Sequence, residues 1–412
     1  MECRICGNTR LEQVLDLGLQ PWCNDFRAPT EPLAEKYPLR MVFCPECTLA
    51  QLDYTVKKEI MFSKHTYVSG TTKTLANHFF NLALENKYQF NLQSDDLIVD
   101  IGGNDGTQLL QYSKLGFSNL LNVESASNIA DIATRRGVNT VCNFFNEEFV
   151  DKLQLANPQR DVKAKLINAS GVFFHLEELH SVCKGVQKLL DDEGVFVVQF
   201  MYLKDIVDHK AFDAIYHEHL CYYTLKSLQY LMSMFDMVLL DAFKSPIHGG
   251  SMMAKFVKKI SHKAELETHR AWSLRTNEEV LDETALSKFS YEIEKHKTKI
   301  HDILVDLKKQ GRRIYGYGAP ASGTTLLNYC DIDNSILEKL VEVNRLKLGL
   351  ISPGTNIPIV LEDESDLPDV YFVLAYKFVD EFFQKQSHLL DKVTFIVPLP
   401  EIKVYGKPLT IV

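Results

Sequence analysis

The stretch that most constrains this chain is LIVDIGGNDGTQLL, residues 97–110. Its first half is a short apolar run of the kind that forms a strand buried on both faces. Gly102, Gly103 and Gly106 then allow a tight turn and a close backbone approach, and TQLLQYSKLG reads as a helix. A strand, a glycine loop and a helix in succession place unpaired helix N–H groups beside a crevice at the carboxyl end of the strand. Few folds other than a doubly wound α/β sheet use that unit. A second strand, SNLLNVE, ends in Glu124, where a carboxylate can accept hydrogen bonds from both hydroxyls of a ribose.

The loop sequence, with Asp100 before it and Asn104 and Asp105 inside it, is GGNDG and not GxGxxG. A carboxylate at Asp105 falls where a diphosphate needs an uncharged cradle of amides. A ligand with an adenosine, a positive centre and no phosphate suits this crevice better, which favours S-adenosylmethionine over a nicotinamide dinucleotide.

The rest of the central region repeats the pattern. SNIADIATRRG reads as a helix ending at Gly137, VNTVCNFF as a strand, and KLINAS as another. ELHSVCKGVQKLLDDEG reads as an amphipathic helix stopped by Gly194, and VFVVQF as an all-apolar strand. In such a sheet ligand groups come from strand ends, so Phe145, Gly171 and His175 join the cofactor loop and Glu124 as candidates. The densest chemistry follows the fifth strand, where Tyr216, His217, Glu218 and His219 stand in succession. Their spacing is not that of HExxH, so acid–base work suits them better than holding a metal. PIHGG, with His248 and Gly249, is a second candidate wall, and Tyr67 lies in an irregular segment that can reach over the site.

At the N-terminus, Cys3-x-x-Cys6 and Cys44-x-x-Cys47 are two knuckles that can complete a tetrahedral four-sulfur zinc site. With no open position, that metal is structural. The C-terminal segment RRIYGYGAPASGTTLLNYC is again strand, glycine loop and helix, with Tyr317 and Ser322 as candidate substrate contacts. A net charge of −9 and the lack of any basic block argue against a nucleic-acid partner. No apolar run reaches the ~18 residues of a membrane span, and nine dilute cysteines suggest reduced thiols and a cytoplasmic protein.

Taken in order, the two cysteine knuckles, DIGGNDG, NVE, the His175 loop, IYHEHL, PIHGG, YGAPASG and PGTNIPI resemble the nucleotide-sugar C-methyltransferases of deoxysugar biosynthesis over essentially the whole chain. The resemblance implies an N-terminal zinc-binding domain (residues 1–60), a linking helical segment (61–93), a Rossmann-like S-adenosylmethionine domain (94–255) and a Rossmann-like domain enclosing the substrate (256–412). It implies methylation of the carbon beside the 4-keto group of a nucleoside-diphosphate sugar, with inversion at that carbon. By position, the metal ligands fall on Cys3, Cys6, Cys44 and Cys47, the cofactor contacts on residues 102–106 and Glu124, and the base on His219. Glu218 and Tyr216 lie beside that base, and Tyr67 approaches the sugar. This chain has Gly171 where the family commonly has asparagine, Ser322 where it often has lysine, and Glu342 where an aspartate is usual. The expectation is a monomer or weak dimer; a methyltransferase of another small acceptor and a non-enzymatic zinc-ribbon interaction protein are the rivals.

Overall fold

The computed structural model describes residues 1–57, 60–61, 69–71, 73–159, 161–247 and 250–409. Three sheets carry the fold. The first is antiparallel, in the order β1 (Glu12–Pro21), β2 (Lys36–Phe43), β3 (Ala50–Leu52), β9 (Cys221–Tyr222). Its last strand comes from the far end of the HEHLCY stretch, so the N-terminal sheet is completed by the central region.

The central sheet has seven strands in the order β10 (Met237–Ser245), β11 (Ser251–Lys258), β8 (Leu190–Phe200), β7 (Ala164–Ser170), β4 (Ile98–Ile101), β5 (Leu120–Glu124), β6 (Thr140–Cys142). Strands β8, β7, β4, β5 and β6 are parallel, and β11 runs against both of its neighbours. Val195 to Phe200 are all fully or nearly fully buried, as an apolar run in a sheet covered on both faces requires. Gly194 does not end a helix: the helix stops at Leu189 and β8 begins at Leu190. Gly194 instead lies inside the strand, where a Cβ would meet the Ala164 carbonyl oxygen at 2.8 Å. Close strand packing therefore selects the glycine.

The third sheet orders β14 (Ile359–Leu361), β13 (Leu340–Glu342), β12 (Ile314–Tyr317), β15 (Val370–Val373), β16 (Thr394–Val397) and β17 (Lys403–Gly406), parallel except for β17. The 27-residue helix Glu283–Lys309 leads into it, burying Leu286, Phe289, Ile293, Ile300, Leu304 and Leu307. These residues share one core with Leu15, Leu17, Leu39 and Met41 of the N-terminal sheet and with Ile314, Leu340 and Phe372 of the third sheet. A second core joins Cys3, Ile5, Cys44 and Leu49 to Ile167, Val186 and Phe196 of the central region. The N-terminal sheet is thus wedged between the other two. No helix among the described residues is long and apolar enough to cross a membrane.

Candidate active site

The four knuckle thiols come together with all ligand sulfurs within 4.8 Å of one another; Cys3 and Cys47 are 3.4 Å apart, Cys6 and Cys44 3.5 Å. Four sulfurs at ~2.3 Å from one zinc stand about 3.8 Å apart, so the cluster fits the ion. Each knuckle closes with a backbone bond, Gly7 to Cys3 and Thr48 to Cys44. Gly7 (φ 72°) takes the left-handed conformation expected of it, and Thr48 (φ 60°) does so in the second knuckle. The Cys47 thiol donates to Cys3 and lowers the Cys3 pKa to about 5, while burial raises Cys6 to about 11. A divalent cation resolves that conflict by taking all four as thiolates. The site is a structural zinc site. His180, in the helix Leu179–Leu189, bonds the Ile5 carbonyl at 2.9 Å and docks the knuckle on the central region.

At the glycine loop, Glu124 ends β5 and is 8% exposed. Its Oε2 accepts the Asn104 N–H at 3.0 Å and its Oε1 the Ala126 N–H at 2.8 Å, which leaves a lone pair on each oxygen for a diol. Asp105 does not face the crevice. It accepts from Thr107 N and Oγ1, from Gly70 N at 3.0 Å and from Arg136, and so anchors the loop to its own helix. Arg136 is thereby committed to Asp105 and Thr107 and not to a bound diphosphate. Asp100 is 1% exposed with neither carboxylate oxygen hydrogen-bonded, and burial followed by the Glu124 charge pushes its pKa well up. The neighbouring Asn168 amide is fully buried on the adjacent strand, beside Tyr112. An acidic, phosphate-free cradle of this kind fits S-adenosylmethionine.

The loop glycines have a local reason as well. A Cβ on Gly102 (φ 60°) would meet Val172 at 2.7 Å, and one on Gly106 (φ 76°) would meet Val138 at 2.6 Å. Gly102 therefore presses on the 171–175 loop, which in turn carries His175. Gly171 itself is left-handed (φ 73°) with open space around its Cβ position. Phe145 does not line the crevice: it is buried against Phe149 and Gly185, and the exposed ring is that of Phe144.

Residues 216–219 form a tight turn closed by His219 N–H to the Tyr216 carbonyl at 2.8 Å. Positions one and four of a turn approach each other, and the rings of Tyr216 and His219 lie with centroids 3.8 Å apart. Nδ1 of His219 is 2.8 Å from the Ala214 carbonyl oxygen. A carbonyl can only accept, so Nδ1 carries the proton and Nε2 is the basic nitrogen. Phe174 stands edge-on to the His219 ring, and the His175 ring is 5.2 Å from it. His175 Nδ1 bonds the Glu218 carbonyl at 2.5 Å. Burial, then the charges of Cys23 and Glu218, hold the Tyr216 hydroxyl well above the ordinary phenol range, so it is a donor at neutral pH.

The two corner residues point apart. His217 packs on Tyr37 and bonds the Pro38 carbonyl of β2, which ties this turn to the N-terminal sheet. Glu218 faces the loop after β1, where Trp22 Nε1 (2.6 Å) and Asn24 Nδ2 (2.7 Å) both donate to its Oε1. Sequence reading passed over Trp22 and Asn24, because a contact across 196 and 194 residues leaves no local pattern. The third sheet closes over the same loop: Thr324 Oγ1 donates to the Cys23 carbonyl at 2.9 Å, and the Lys347 ammonium lies 4.3 Å above the Phe26 ring. Lys347, also unforeseen, donates to the Ala319 carbonyl, and burial lowers its pKa. Ser322 is half-buried in the first turn of the helix Ala321–Tyr329. Tyr317 packs at a tilt against Phe382 with its hydroxyl toward Glu362. Tyr67, His248 and Gly249 lie outside the described residues.

The family model described as "Putative zinc binding domain" matches residues 3–62, and the C-methyltransferase C-terminal domain matches residues 246–400. C-methyltransferase NovU of Streptomyces niveus is 27% identical over 416 residues, spanning 100% of this chain and 98% of that protein. Among solved structures, the magnesium protoporphyrin IX methyltransferase of Synechocystis aligns with 44% of this chain and 79% of its own at 10% identity and a TM-score of 0.34. The CcbJ methyltransferase of Streptomyces caelestis aligns with 44% and 94% at 13% identity and a TM-score of 0.33.

Proposed function

We propose that this chain is a C-methyltransferase, as its matches to that family indicate, and that it methylates the carbon, C3 in our reading, beside the 4-keto group of a nucleoside-diphosphate deoxysugar. The observation that carries the proposal is the fixed tautomer of His219. With Nδ1–H held by the Ala214 carbonyl, Nε2 can take a proton from a substrate carbon made acidic by the adjacent ketone. The Tyr216 hydroxyl, kept protonated, can donate to the enolate oxygen that forms, and His175 stands close enough to share that task. Glu124 and the 102–106 loop would hold S-adenosylmethionine. When bound, that cofactor supplies an electrophilic methyl group to the deprotonated carbon. The contact between Gly102 and Val172 couples the cofactor loop to the segment carrying His175, so the two halves of the site keep their spacing.

In this reading residues 1–60 hold zinc and seat the Trp22 loop, 61–93 link, 94–255 carry the cofactor and base, and 256–412 enclose the sugar. Nine cysteines without a disulfide suit a reducing compartment such as the cytoplasm. The test is a panel of 4-keto sugar nucleotides incubated with S-adenosylmethionine and read by mass spectrometry. A gain of one methyl group on a 4-keto deoxysugar supports the reading. Transfer only to acceptors lacking a ketone would overturn it.

A further inference from the structure

Glu218 is 6% exposed, yet its two carboxylate oxygens live in different surroundings. Oε1 accepts from Trp22 Nε1, from Asn24 Nδ2 and, more weakly, from the Cys23 thiol at 3.7 Å. Oε2 takes no hydrogen bond from the described residues. The donors sit on a loop that is itself fixed from both sides. Asp25 N–H closes a turn on the Trp22 carbonyl at 3.1 Å, Asp25 pairs with Arg27 at 2.7 Å, and Thr324 from the third sheet holds the Cys23 carbonyl. A buried carboxylate with one oxygen saturated and the other open is a preorganised acceptor, since the cost of ordering it has been met in folding.

We infer that Trp22 and Asn24 are positioning residues that pin Glu218 through Oε1, so that Oε2 accepts a hydroxyl hydrogen bond from the sugar held beside His219. The inference rests on the proposed function, and it assigns part of the site to the N-terminal segment. The ligand group is a donor by chemistry: a hydroxyl or amine next to the reacting carbon, and not a phosphate, which a carboxylate repels. It also explains why the carboxylate lies in the same turn as the base. The turn places the acceptor of a neighbouring hydroxyl one residue from the imidazole, and orienting that hydroxyl orients the C–H to be removed.

The test uses the full-length zinc-loaded protein and the variants Trp22→Phe, Asn24→Ala and Glu218→Gln, singly and combined. Trp22→Phe keeps the ring and removes only the N–H. A hydrogen bond to a charged group of this kind corresponds to a change of about tenfold to a hundredfold in kcat/KM. The account expects that loss in each single variant, with S-adenosylmethionine affinity by calorimetry unchanged. It also expects W22F and N24A to cost little more once E218Q is present, because all three act through one carboxylate. Equal losses in the native and E218Q backgrounds would overturn the inference, as would native kcat/KM in W22F and N24A. An arm independent of turnover reads the emission of Trp22 in a Trp272→Phe background, these being the two tryptophans of the chain. E218Q should change that emission, and an unchanged spectrum would refute the clamp. If the native protein methylates no sugar nucleotide, the parent reading fails and the fluorescence arm still decides the geometry.

Discussion

Replacing Gly102 by alanine separates what the fold asks of this residue from what a ligand asks. The backbone there is left-handed at φ 60°, a region that costs an L-residue about 1–2 kcal/mol. The added Cβ would lie 2.7 Å from Val172 Cγ2 and 3.1 Å from Val172 Cβ, an overpacking that costs about 1–3 kcal/mol more. The sum, roughly 2–5 kcal/mol, corresponds to a fall in Tm of about 5–15 °C for a unit the size of the central region. Val172→Ala removes the Cγ2 clash while giving up about 1 kcal/mol of burial. The double variant should therefore recover most of the steric share and remain below native by the conformational share. Calorimetric melts of the four proteins give the coupling directly, with S-adenosylhomocysteine affinity measured in parallel. Additive losses, with no relief from V172A, would show that the 102–172 contact is not what selects glycine.

Glu124→Gln keeps one acceptor oxygen and sets an NH2 against the Asn104 or Ala126 amide, so S-adenosylmethionine should bind about ten- to a hundred-fold more weakly by calorimetry. Elemental analysis should give one zinc per chain, and Cys44→Ser should lose it and loosen the N-terminal sheet more than it slows whatever protein stays folded, read by near-ultraviolet dichroism and by turnover per folded molecule. His217 is buried and His78 and His296 are half-buried, and desolvation depresses the pKa of all three. Below about pH 6.5 the unfolded chain binds protons that the native one does not, so stability falls as pH drops, by at most about 1.4 kcal/mol per pH unit for each histidine. His217→Gln should make the acid side of the stability–pH curve shallower; an unchanged slope would remove His217 from that balance.

Much of this was readable from the chain because buried parallel strands are apolar throughout and glycine loops follow them directly. β4, β5 and β12 with their loops, and the two zinc knuckles, are local patterns of that sort. The reversal of β11 was not readable: SMMAKFVK is buried along almost its whole length and looks the same in either direction. Gly194 misled because a glycine after a helical pattern usually marks a cap, whereas here strand packing against Ala164 selects it. In the cofactor loop Gly102 and Gly106 take the left-handed turn the pattern implied and also make room for Val172 and Val138, which no local pattern announces, while Asp105 turns inward to Arg136 and away from the crevice. Of the four polar residues in 216–219 the sequence gives the cluster but not its directions. The turn faces Tyr216 and His219 together and sends His217 and Glu218 to separate partners more than 170 residues away.

The account turns on His219, and one measurement reaches it directly. His219→Ala leaves the Glu124 crevice untouched, so the variant can be compared with the native protein at saturating 4-keto sugar nucleotide and S-adenosylmethionine, with methyl transfer read by mass spectrometry. General-base catalysis is typically worth about 10²–10⁴-fold, and the predicted result is a loss of that size with cofactor affinity preserved, together with loss, in a parallel incubation without the methyl donor, of solvent deuterium exchange at that carbon of the unmethylated sugar. Near-native turnover in the variant would contradict the account and return the base role to Tyr216 or His175.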